Sequence, residues 1–88
     1  MGSLVHLDKE DGMLVNKLVM NPTEVTDYVK NSQETRFVTV VKGKGVVTID
    51  TVDFRVQAPH TLMVQPNQEY LYANTSTEEV LVVIEVVI

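Results

Sequence analysis

The chain has 88 residues, a hydrophobic fraction of 44% and a formal net charge of −5, which describes one small folded domain with no room for a second core. It contains no cysteine, so disulfides and thiolate zinc sites are excluded, and the composition suits a reducing cytoplasm. Its densest basic spot is only Lys42 with Lys44, which argues against nucleic acid as a partner because phosphate backbones need a basic stripe.

Valine and threonine are abundant, and β-branched side chains suit a pleated surface. Strands are predicted at 4–7, 13–20, 24–30, 36–42, 45–50, 53–57, 61–65, 69–74 and 79–87. Turn chemistry separates them at Asp11-Gly12, Asn21-Pro22, Asn31-Ser32, Lys42-Gly43-Lys44-Gly45, Asp50-Thr51, Ala58-Pro59, Pro66-Asn67 and Asn74-Thr75-Ser76. Many short strands at this spacing predict an all-β sandwich or barrel, one domain over residues 1–88 with its core from about residue 13. The first residues lack the cationic and apolar regions of a secretory leader, and His6 stands where a myristoylation signal needs Ser or Thr.

Residues 21–30 carry two patterns. Asn21, Pro22 and Glu24 have the order of a helix cap, with Val25, Tyr28 and Val29 at helical spacing. Alternation of Val25, Asp27 and Val29 with their neighbours favours a strand, as does the β character of the flanking chain. The stretch Lys42-Gly43-Lys44-Gly45 superficially suggests phosphate binding, but it lacks P-loop spacing and reads as a hairpin turn. Phe54 and Met63 read as core residues, and Asp50 and Asp53 as turn formers.

The last strand is apolar on both faces. Val80, Val82, Ile84, Val86 and Ile88 form one face; Leu81, Val83, Glu85 and Val87 form the other. Burying a Val or Leu is worth about 1.5–3 kcal/mol, so a second layer is expected over the Leu81 face, from the same chain or another subunit. The expectation is a homodimer formed through the C-terminal strand. No membrane span is expected, since the run at residues 80–88 is broken by Glu85 and a bilayer needs about 20 apolar residues.

The segment Arg36-Phe37-Val38-Thr39-Val40-Val41-Lys42-Gly43-Lys44-Gly45-Val46-Val47-Thr48-Ile49 resembles the end of the first cupin motif. The segment from Phe54 to Asn74 resembles the second, with Pro66, Asn67 and Asn74 at the matching spacing. The resemblance to the cupin superfamily covers about residues 16–87 and implies a short RmlC-like jelly-roll barrel. It also implies where a metal would be held, and there the chain departs from the pattern. Arg36 occupies the glutamate position of the first motif. The histidine pair falls on Lys30 and Ser32, or on Val29 and Asn31. Tyr70 takes the place of the second-motif histidine. No metal and no cofactor is therefore expected, and His6 and His60 with Asp8 or Glu10 have no ligand spacing.

If even-numbered residues of 36–42 face the barrel interior, the cavity mouth presents Arg36, Lys30, Tyr70 and Tyr72. An inward arginine needs a counter-charge, either Glu34 or Glu69 at a wet rim or an anionic ligand. The expected function is a metal-free, homodimeric small-molecule binding module for a sugar or carboxylate. The alternatives are an isomerase, epimerase or lyase using Tyr70 with Glu69 or His60, and a purely structural or regulatory interaction protein.

Overall fold

A computed structural model describes the backbone of Ser3–Glu10 and, with side chains, residues 13–88. Strands form where β-branched residues run between turn residues. They are β1 (Ser3–Glu10), β2 (Met13–Met20), β3 (Val29–Lys30), β4 (Arg36–Lys42), β5 (Lys44–Ile49), β6 (Val52–Gln57), β7 (His60–Val64), β8 (Glu69–Asn74) and β9 (Leu81–Val87). A five-stranded sheet in the order β1-β2-β9-β4-β7 faces a four-stranded sheet in the order β3-β8-β5-β6, and every pairing is antiparallel. Strands alternate between faces, and the inward residues Met20, Val38, Val40, Val47, Val64, Leu81 and Val83 fill the space between the sheets. The Asp11-Gly12 turn lies outside the described residues.

The link from β4 to β5 is a corner between the two sheets rather than a hairpin. Gly43 has φ of 87°, and a Cβ there would strike the Val80 carbonyl oxygen. Gly45 needs no positive φ; the Ala73 carbonyl of β8 passes too close for any side chain. The true hairpin joins β5 to β6 through Asp50 and Thr51, with φ of 47° and 67°. Both central residues are left-handed, as a type I′ turn requires. Tyr28 Oη accepts from the Thr51 amide at 2.7 Å, and Asp50 Oδ1 accepts from the Glu69 amide at 2.8 Å.

Residues 21–30 are neither a helix nor a full strand. Half of the cap forms: the Asn21 amide donates to Glu24 Oε1 at 2.7 Å, while the Glu24 amide donates to the Asn21 backbone carbonyl at 3.2 Å and closes a turn. Thr23 then takes φ of 67° and the following chain is captured by β8. The Thr26 amide donates to the Tyr72 carbonyl at 2.9 Å, the Asn74 amide to the Glu24 carbonyl at 2.8 Å, and Val25 bridges Ala73. Regular pairing is confined to Val29–Lys30.

Three expectations change once side chains are placed. Leu81, Val83, Glu85 and Val87 point inward and are covered by the chain's own second sheet, whereas Ile84 and Val86 face outward and Val82, on the same face as these two, is buried. Phe54 and Met63 are 40% and 45% exposed, so neither is core; Met63 lies on the outer face opposite Phe37, and Phe54 sits on the edge strand β6. Asn74 is buried, where its amide donates to the carbonyls of Met20, Asn21 and Glu79 at 3.2, 3.1 and 2.8 Å, pinning the β2–β3 and β8–β9 connections together at that end.

Candidate functional site

A cavity of about 300 Å3 opens between the sheets at the end where β2, β4 and β9 face β8 and β3. Alternation on β4 turns Val38 and Val40 wholly inward and carries Arg36 to the cavity, its side chain only 12% exposed. Glu85 of β9 is the diagonal neighbour of Arg36 across the strand pair, because Val38 is paired with Glu85 and Arg36 with Val87. The guanidinium Nη1 donates to Glu85 Oε1 at 2.6 Å. Asn16 of β2, directly opposite Glu85, donates to the same oxygen at 3.1 Å. Tyr72 Oη donates to Glu85 Oε2 in a short hydrogen bond.

The remaining nitrogens of Arg36 are also engaged. Nε donates to Asn31 Oδ1 at 3.4 Å, and Nη2 lies 3.8 Å from Glu34 Oε1. Asn31 is itself completely buried, fixed by its own amide to the carbonyls of Glu34, Val64 and Gln65. The Tyr70 ring lies under the guanidinium, 5.1 Å from Cζ to centroid, and is tilted against Tyr72 at 5.5 Å. Among the described residues no protein group hydrogen-bonds to Tyr70 Oη. Leu18, Val29 and Thr26 complete the wall.

Both tyrosines are held in the neutral form. Burial raises the pKa of Tyr72 well above the usual phenol value, and the Glu85 carboxylate raises it further. Tyr70 is shifted the same way by burial and Glu85, with Arg36 opposing. Tyr72 is thus a fixed donor to a carboxylate, and it does not act as a base.

The structure brings Arg36, Tyr70 and Tyr72 together as the strand pattern predicts. It excludes Lys30, which pairs with Glu69 and points to the outer face, while its neighbour Val29 pairs with Tyr70 and faces in. A one-residue difference in the count decides this: Val29 and Asn31 face the interior, and Lys30 and Ser32 are exposed. The counter-charge of Arg36 is Glu85, with Glu34 secondary; Glu69 plays no part. Glu85 stands in the sequence as the lone acid of the apolar run 80–88, but its partners on β2, β4 and β8 depend on the order of the strands. Neither Glu69 nor the exposed His60 lines the cavity with Tyr70, so the acid–base set considered from the sequence is not assembled.

A two-sheet antiparallel barrel with a cavity at one end, apolar-walled and holding a few convergent polar groups, is the architecture of a jelly-roll binding fold. The sequence profile of the cupin domain family matches residues 17–87, and the chain belongs to that family. Among solved structures it is similar to a predicted oxalate decarboxylase from Thermotoga maritima, at 18% identity and a TM-score of 0.89, over 97% of this chain and 77% of that one. It is also similar to the Schizosaccharomyces pombe Cnp3 cupin domain, at 16% identity and 0.89, over 96% of this chain and 61% of that one. An RmlC-like cupin from Shewanella frigidimarina aligns at 14% identity and 0.84, over 96% of this chain and 72% of that one. At these identities the likeness concerns the fold. No curated protein matches the chain.

The cupin fold is associated with a metal in this cavity, and the residues here do not fit one. Among the described residues the cavity offers a single carboxylate, already bound by a guanidinium, together with amides and phenols that remain protonated. A fixed cation 2.6 Å from Glu85 repels a second. Among the described residues no three His, Cys, Asp or Glu side chains converge. The side chains of His6, Asp8 and Glu10 lie outside the described residues. Among the described residues no helix is long and apolar enough to cross a membrane.

Proposed function

We propose that the chain is a small-molecule binding module that takes an uncharged polyhydroxyl ligand, of the sugar class, in the Arg36–Tyr70 cavity without a metal. The observation that carries this reading is the closure of the Arg36 charge by Glu85 at 2.6 Å. A ligand carboxylate would have to displace a partner already fixed by Asn16 and Tyr72. A ligand hydroxyl needs only hydrogen-bonding atoms and an apolar wall, which Tyr70 Oη, Leu18 and Val29 supply. Of the sugar and carboxylate classes, the site therefore favours the first. The cysteine-free composition suits a cytoplasmic protein.

Titration with neutral monosaccharides and with the matching sugar acids, followed by backbone amide NMR, tests this. Saturable shifts at Val29, Tyr70 and Glu85 are expected with neutral sugars, weakened about tenfold in Tyr70→Ala. Preferential binding of the acids would overturn the reading.

The outward face supports a homodimer built on β9. Val15, Val86, Phe37 and Met63 form one row across β2, β9, β4 and β7, flanked by Ile84 and Val19. A contiguous apolar row on an outer sheet face is the usual mark of an interface. Sedimentation velocity at high micromolar concentration should show a dimer that Val86→Lys converts to monomer. A wild-type monomer under those conditions would end this reading.

A further inference from the structure

The four-stranded sheet carries a second cleft on its outer face, distinct from the cavity between the sheets. It measures about 530 Å3 and lies over β5 and β6, with Lys44, Val46, Arg55, Gln57 and Thr75 among its walls. Pairing explains the grouping: Lys44 stands opposite Gln57 and Val46 opposite Arg55, so the two cations are diagonal neighbours on one face. Among the described residues neither Lys44 nor Arg55 has an ion-pair partner. Asp53, the acid farther along that face of β6, accepts from the Thr48 hydroxyl at 2.7 Å.

Two unneutralised cations are close together on a chain whose net charge is −5. Like charges on adjacent strands repel, which a bound anion would relieve. Arginine offers a planar fork and lysine a point charge, the pair of geometries that suits a phosphoryl group. Gln57 and Thr75 add neutral donors, and Val46 adds an apolar floor that a bare ion would not use. We propose that this cleft binds a phosphate monoester, with Lys44 and Arg55 as the clamp and the organic part of the ester lying against Val46. The Lys42-Gly43-Lys44-Gly45 stretch contributes through Lys44 alone, paired across strands with a residue far along the chain rather than through a glycine loop.

The test is amide NMR titration at constant ionic strength with glycerol 3-phosphate, inorganic phosphate and succinate, each to roughly 10 mM, a range that reads millimolar affinity. Saturable shifts at Gly45, Val46, Arg55 and Thr75 are expected with glycerol 3-phosphate, weaker with inorganic phosphate and weaker again with succinate. Lys44→Gln with Arg55→Gln should weaken glycerol 3-phosphate binding about tenfold or more, as loss of charge-assisted hydrogen bonds does, with the remaining spectrum unchanged. Absence of saturable shifts at these residues overturns the proposal, as does equal binding by the doubly substituted protein or a preference for succinate. Both side chains are exposed on an outer sheet face, so the variants retain the fold.

Discussion

Separating Arg36 from Glu85 tests the reading of the cavity most directly. The pair lies 2.6 Å apart with side chains 12% and 6% exposed, so neither group can turn freely to water. Removing one partner of a buried ion pair costs about 3–5 kcal/mol in general. Here the Arg36→Met carboxylate keeps Asn16 and Tyr72 as donors, and Arg36 in Glu85→Gln keeps the more distant Glu34. Each single substitution is therefore expected to cost about 2–4 kcal/mol. For a domain this size total stability is roughly 4–13 kcal/mol, and each kilocalorie moves the midpoint by about 4–8 °C. Arg36→Met with Glu85→Gln removes both charges while Gln still accepts from Tyr72, so the double variant should recover much of the loss. Urea unfolding of the four proteins gives the cycle, with a coupling of about 2 kcal/mol or more expected. Additive costs, or single losses under about 1 kcal/mol, would show that the pair is a solvated surface contact and that Arg36 remains available to an anionic ligand.

Thr51→Gly should stabilise the protein by about 0.5–1 kcal/mol, since relief of a left-handed β-branched residue exceeds the added unfolded-state freedom; a higher midpoint in urea is the readout. Gly45→Ala should destabilise by about 1–3 kcal/mol, because the Cβ meets the Ala73 backbone and not a side chain that can move; the same unfolding assay measures it. Stability should also fall in alkali. The folded pKa of Tyr72 lies well above the ordinary 10.0, so the native state binds this proton more tightly than the unfolded one. Its contribution is complete below about pH 10 and is lost as pH rises through the folded value. Tyr72→Phe should flatten that decline in urea midpoints measured from neutral pH upward, and an unchanged slope would remove Tyr72 as its source.

Most of the strand plan was legible because valine, threonine and turn residues alternate at regular intervals. The β7 strand between Pro59 and Pro66 was read nearly to the residue, since neither proline position needs a ladder donor. Residues 24–30 read as a strand, but β8 captures the chain only through Glu24, Val25 and Thr26 before regular pairing at Val29–Lys30, and Thr23 at φ of 67° breaks the helical alternative. Arg36, Tyr70 and Tyr72 could be placed in the cavity by counting from Gly43 and by strand parity. Lys30 could not, because the uncertainty was one residue and parity converts one residue into the opposite face. Glu85 and Asn16 were out of reach for a different reason. Their roles depend on β9 lying between β2 and β4, a non-local order that composition does not reveal.

The two-sided hydrophobicity of β9 bears on how the chain finds its final pairing. Shifting this strand by one residue against β2 and β4 would replace one apolar row with another, at little cost in hydrophobic burial. What such a slipped arrangement cannot do is leave a carboxylate beneath both the guanidinium and the Tyr72 hydroxyl. Glu85 therefore acts as the strand's index mark, an ionic device that specifies alignment where greasy side chains are degenerate.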